Sequence, residues 1–183
     1  LVGSEMCIRD SPRQWTFWFS MALFSFLVIA LETVFYHLLQ VLTNYTQTQM
    51  VIAIAMLGIA AGSLIAFYLG RINVILVMSL SALGLFISVA YAYYNVINIP
   101  LLGYPILLIF PFIFASIIVS SLFAHGNSNK LYFTNLLGSA LGVIFPIIFV
   151  PLLKSETAIM VLMILPLIFL AVIALSVRFL PFK

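Results

Sequence analysis

Of the 183 residues, 66% are hydrophobic and only 6% charged, with a mean hydropathy of +1.32; a soluble domain carries about a quarter charged residues, so a water-soluble core of this composition would have nothing polar to cover it. The net charge of +3 comes from seven basic and four acidic side chains scattered thinly along the chain, which excludes a nucleic-acid surface, where cations cluster on one face. The class that fits is an integral membrane protein whose first partner is the lipid bilayer.

In chain order, residues 1–11, LVGSEMCIRDS, read as the translation of a sequencing-library adapter rather than as natural protein. The native domain is then expected over residues 12–183 as a fragment whose natural start is missing, and the sole cysteine, Cys7, falls outside it. Without that thiol no disulfide, iron–sulfur cluster or thiolate zinc site has a ligand, and neither metal nor cofactor is expected. From residue 12 onward, apolar runs near the length of about 20 residues that a membrane helix needs lie near 15–42, 48–69, 74–93, 104–124, 131–150 and 158–177. The segments between them, NYTQTQ, GRIN, YNVINIPLLG, HGNSNK and PLLKSET, are too short for a domain.

The expected fold is therefore all-α, a bundle of six transmembrane helices. Trp15, Trp18, Tyr45, Tyr68, Tyr94, Tyr104 and Tyr132 fall near the span ends, where an interfacial aromatic belt belongs. With a cytoplasmic amino end, Arg13, Arg71, Lys130, Arg178 and Lys183 share the cytoplasmic side, and Lys154 alone lies opposite, beside Glu156. The positive-inside rule thus predicts both termini in the cytoplasm, in a plasma membrane of the bacterial inner type. Internal similarity adds a second expectation. A shift of 80 residues lays the Leu57–Gly62 segment LGIAAG on the Leu137–Gly142 segment LGSALG, the first span on the fourth and the third on the sixth. A repeat of three spans must invert across the membrane, the plan of many transporters.

Few residues suggest chemistry. No carboxylates neighbour one another in a span, His37 and His125 have no metal-ligand spacing, and there is no phosphate loop. No catalytic site is expected in this fragment. Glu32 stands alone in the middle of an apolar span, at a cost of about 2.5 to 3.5 kcal/mol on insertion scales. It is either a neutral, hydrogen-bonded packing device or a site for a cation or proton. Helical rise puts Glu32 near Gly58 and Pro146 in depth; the proline frees the Gly142 carbonyl as an acceptor. Tyr132, Asn135, Gly138 and Gly142 recur at steps of three, three and four on one face of the fifth span. Such a face admits another helix closely, with Asn135 bonding across the contact; alternatively, Tyr132 and Asn135 line a cavity mouth. Glu32, Tyr132 and Asn135 are thus the candidate polar site, and the pairs Gly58/Gly62 and Gly138/Gly142 the candidate packing glycines.

SFLVIALETVFYHLL in the first span, MLGIAAGSLIAFYLGR in the second and LYFTNLLGSALG opening the fifth together resemble the membrane portion fused to bacterial spermidine synthase-like proteins. Leu31 and Glu32, Gly58, Gly62 and Ser63, and Tyr132, Asn135, Gly138 and Gly142 match its motifs. His37 departs from them, standing where that family often has arginine. The resemblance implies a non-catalytic membrane domain anchoring a C-terminal cytoplasmic aminopropyltransferase-like enzyme domain, absent from this fragment, and handling polyamines. The alternative is the amino-terminal half of a secondary transporter of the major facilitator type. That family commonly carries an acidic and arginine-rich loop between helices two and three, whereas this chain has only GRIN.

Overall fold

The computed structural model describes residues 12–42, 45–69, 74–98, 107–125 and 128–179, with side chains over 17–40, 49–69, 75–95, 107–124 and 129–171. Among the described residues there are five helices and no strand: α1 (Pro12–Leu42), α2 (Tyr45–Leu69), α3 (Val74–Asn98), α4 (Ile109–His125) and α5 (Ser128–Phe179). Residues 1–11, Arg71, Tyr104 and Lys183 lie outside the described residues, as do the side chains of Arg13, Trp15, Tyr45, His125 and Arg178. Most of the cations behind the expected sidedness are therefore outside the description.

Four stretches, Phe17–Gln40, Gln49–Leu69, Ile75–Asn95 and Asn129–Ala171, are long and apolar enough to cross a bilayer; Ile109–Ala124 is a shorter apolar helix. Four differs from the six expected spans for two reasons: the last two, 131–150 and 158–177, fall within the single helix α5, and the apolar helix of the fourth, expected over 104–124, covers only Ile109–Ala124. The polar segment between them does not form a separate loop. Helical geometry continues on both sides, and only Lys154 leaves it, at φ 64° and ψ 154°.

That one residue reverses the chain. Gly138 lies against the backbone of Ala22 and Gly142 against that of Phe26, so the stretch of α1 around Phe24 is level with residues near 140. The Phe24 ring also meets Phe169 edge to face, with ring centroids 4.5 Å apart. A straight helix would hold residues 140 and 169 about 43 Å apart at about 1.5 Å per residue. The two points are nearly equidistant from Lys154 in sequence, so the arms of α5 run back along the same part of α1.

The central helix is α1. Within its apolar stretch 56% is buried, against 17 to 39% in the other three long stretches. Met21, Phe24, Leu27, Leu31, Val34 and Phe35 are closed off almost completely. α1 packs chiefly on α5, α2 chiefly on α4, and α3 on both α4 and α5. Lipid tails are as apolar as leucine, so close van der Waals contact and interhelical hydrogen bonds must hold such helices together. The glycines set where that contact is closest.

Candidate functional site

Two glycine seams organise the bundle. On α2, a Cβ built at Gly58 would lie 2.7 Å from Phe112 Cβ and 2.9 Å from the Ile109 carbonyl oxygen; at Gly62 it would collide with the Ile113 carbonyl and stand 2.8 Å from Ser116 Cβ. On α5, a Cβ at Gly138 would collide with the Ala22 carbonyl, and one at Gly142 would lie 2.6 Å from the Phe26 carbonyl oxygen and 3.0 Å from Ile29 Cβ. Contacts advance together along both members of each seam, so α2 runs parallel to α4, and the first arm of α5 runs parallel to α1.

Three contacts recur between the seams. Gly58 and Gly138 each face a carbonyl oxygen, of Ile109 and Ala22; Gly62 and Gly142 each face a carbonyl oxygen one turn on, of Ile113 and Phe26, and a Cβ three residues further, of Ser116 and Ile29. The glycines are related by a shift of 80 residues and their partners by a constant shift of 87.

Beside each seam lies a small polar group. At the α1–α5 seam the Ser25 hydroxyl is 2.7 Å from the Met21 carbonyl oxygen and 2.5 Å from Asn135 Oδ1. One hydroxyl proton cannot serve both acceptors. The shorter contact is the one across the seam, Ser25 Oγ donating to Asn135 Oδ1, at a distance that fits an O–H···O bond. At the α2–α4 seam, Ser120 donates to Ser63 (3.1 Å), Ser63 and Ser116 are 3.0 Å apart, and Ser116 donates to the Ile59 carbonyl at 2.7 Å. A serine within a span can bond its own helix or a neighbouring one; Ser63 does both, donating also to the Ile59 carbonyl at 2.9 Å, and the run of hydroxyls itself was not anticipated from the sequence. The available signal was Ser116 and Ser120 one turn apart on α4, with Ser63 directly after Gly62. The hydroxyls bond one another and a carbonyl, so no base activates them as nucleophiles.

The three candidate polar residues do not converge. Asn135 is at the α1–α5 seam, whereas Tyr132, one turn earlier, is 59% exposed. Glu32 is seven residues beyond Ser25 on α1, about 10 Å along the axis. It is partly exposed, and among the described residues its carboxyl has no hydrogen-bond or ion-pair partner. The expected bond to the Gly142 carbonyl is not made, because Gly142 seats against Phe26, Ile29 and Ala30, a turn below Glu32. His37 is exposed and meets Tyr36 edge to face, with centroids 6.0 Å apart. Lys130, at the start of α5, sits over the Trp18 ring at 4.6 Å, tying the first turns of the two parallel helices together. Among the described residues no three His, Cys, Asp or Glu side chains gather as a metal site.

Comparison of the chain with protein-family models, curated proteins and solved structures finds no match.

Proposed function

We propose that the chain is a non-catalytic six-span membrane domain, built from two inverted repeats of three helices. Its role is to anchor a C-terminal enzyme domain at the cytoplasmic face and to handle a polyamine, as in the spermidine synthase-like proteins whose motifs it resembles. The observation that carries the architecture is the correspondence of the two seams. The second span of each repeat packs on the first span of the other, with the same atoms in contact at constant shifts of 80 and 87 residues. Counting the arms of α5 as separate spans gives each repeat three helices. Two repeats of odd span number insert with opposite sense, as in transporters that hold their substrate between repeats.

In this reading six of the nine motif residues serve helix packing. Gly58, Gly62, Gly138 and Gly142 form the seams, and Ser63 and Asn135 hydrogen-bond across them. A motif used in this way specifies helix packing and not a reaction, which fits a domain that carries no catalysis itself.

Two measurements test the reading. Cysteine pairs replacing Phe26 with Phe145, whose rings are 5.4 Å apart, and replacing Ile113 with Ile65, the positions related to them by the two shifts, should both cross-link with a short bifunctional reagent in a Cys7→Ser background. Cross-linking of the first pair without the second defeats the repeat. For function, proteoliposomes of the chain loaded with spermidine should release it faster than protein-free liposomes. Equal release leaves an anchor only. DNA beyond the Lys183 codon should then encode an α/β methyltransferase-like domain, whereas six further spans would establish the major facilitator alternative.

A further inference from the structure

The C-terminal half of α1 has a feature that neither the seams nor the anchor role uses. At about 100° per residue, Glu32, Thr33, Tyr36, His37 and Gln40 fall within an arc of about 140°. Leu31, Val34, Phe35, Leu38 and Leu39 fill the rest of the circumference. All five of those apolar residues are buried, at 0 to 5% exposure. The polar arc is open: Glu32, Thr33 and Tyr36 are partly exposed, and His37 and Gln40 fully so.

We propose that this arc lines a polar crevice that admits small cations, such as protonated amines, from the C-terminal end of α1 down to Glu32, where it ends. His37 and Gln40 stand in the last turn of the apolar stretch Phe17–Gln40, within reach of interfacial water, but a helix turning Glu32 and Thr33 toward hydrocarbon would bear the cost of each. Polar groups inside a membrane instead face one another or a water-filled cavity. Gln40 to Glu32 is eight residues, a depth of about 12 Å. The crevice is closed below Glu32, where Gly142 presses on Phe26, Ile29 and Ala30 and the Phe26 ring meets Phe145 edge to face. The Thr33 hydroxyl turns back onto the carbonyls of Ile29 and Ala30, at 2.8 and 3.1 Å, which leaves its oxygen lone pairs toward the opening.

The sign of the preferred solute follows from the groups present. Glu32 is the sole carboxyl of the arc and is unpartnered among the described residues. Tyr36 places a phenol ring midway along the arc, and an aromatic face attracts cations and not anions. This inference rests on the membrane-spanning reading but not on the repeat.

The test uses the full chain with Cys7→Ser and single cysteines at Gln40, His37, Tyr36 and Thr33, with Val34 and Leu38 as buried controls. Membranes are treated with two water-soluble, bilayer-impermeant thiosulfonates, one carrying a trimethylammonium and one a sulfonate, applied to both faces. Each rate is normalised to that reagent's rate on a free thiol. Thr33→Cys and Tyr36→Cys should both be modified, and the controls should not react. The cationic reagent should be favoured by about fivefold or more at Thr33→Cys, the effect of one carboxylate at about 4 Å in water. Adding Glu32→Gln should remove that preference and leave modification intact.

Reaction of both deep cysteines only with bilayer-soluble N-ethylmaleimide would put the arc against lipid and overturn the crevice. Equal normalised rates for the two charges would overturn the cation preference. Tyr36→Cys carries the test should Thr33→Cys fail to fold. The seam cross-links report independently of either result, so failure here is distinguishable from failure of the repeat.

Discussion

Substituting Gly62 with alanine adds one methyl group at the closest point between α2 and α4. The new carbon would stand 2.8 Å from Ser116 Cβ and 3.1 Å from the Ile113 carbonyl carbon, where carbon atoms at rest prefer about 3.5 to 4.0 Å. The obstruction is backbone and Cβ on both sides, so no rotamer change relieves it, and the helices must part by about 1 Å. The Ser63–Ser116 contact at 3.0 Å and the Ser116 bond to Ile59 at 2.7 Å then stretch beyond hydrogen-bond length. Overpacking costs about 1 to 3 kcal/mol, and each interhelical hydrogen bond in a membrane is worth about 0.6 kcal/mol. Together they give an expected loss of about 2 to 4 kcal/mol.

Gly84→Ala is the internal control. There the added methyl meets the far edge of the Phe114 ring, at 2.6 to 2.8 Å, and a ring can swing aside. Its cost should stay below about 1 kcal/mol, within the range of a tolerated core change. Unfolding of purified protein by titrated sodium dodecyl sulfate in mixed micelles, followed by helical circular dichroism, reads both variants on one scale. A Gly62→Ala variant as stable as Gly84→Ala would refute the argument that the α2–α4 seam is set by backbone contact.

Gly138→Ala should be at least as damaging as Gly62→Ala in the same titration, because its methyl collides with the Ala22 carbonyl on the central helix; a neutral result would remove the α1–α5 seam. Asn135→Leu should lose about 0.6 to 1.7 kcal/mol, the span of measured interhelical hydrogen bonds, and Ser25→Ala in that background should add little. Lys154→Gly should stabilise the protein: a non-glycine residue at φ 64° and ψ 154° bears about 1 to 3 kcal/mol of strain, and the extra chain entropy of glycine offsets about 0.5 to 1 kcal/mol of the relief. No gain would mean that this backbone is relaxed in the membrane. Reporter fusions after Lys130 and after Lys154 should give opposite sidedness, and the same compartment for both would break the six-span proposal.

Hydropathy located the helices well where apolar runs are broken by a glycine and a charge, as at GRIN between α2 and α3. It misjudged PLLKSET, because a chain can reverse at one positive-φ residue while helical hydrogen bonding continues on either side, and polarity does not reveal how few residues a turn uses. The glycine pairs were legible because bare backbone at four-residue spacing makes a groove on any helix. What fills the groove was not: Gly62 meets α4 and Gly142 meets α1 through contacts far apart in sequence. Asn135 was readable as bonding across a helix contact, but its partner Ser25 was not, since a serine in a span can equally well bond its own backbone, as Ser25 also does with Met21. The expected bond of Glu32 failed for a geometric reason. Depth along the membrane brought Gly142 near, but it seats against Phe26, Ile29 and Ala30, a turn below Glu32, and an error of one helical turn is enough to lose a hydrogen bond.

The pairing of α1 with α5 also fixes an order of events during synthesis. Of the described helices α1 is made first, yet Ser25 is separated from Asn135 by 110 residues. At about 5 to 20 residues per second of translation, α1 waits roughly 5 to 20 seconds in the bilayer before its principal neighbour has been made. Throughout that interval Ser25 and the face of α1 around Phe26 and Ile29 lack their main neighbour, so the nascent chain needs a temporary host, either the insertion machinery itself or an early, looser association of α1 with α2 that α5 later displaces.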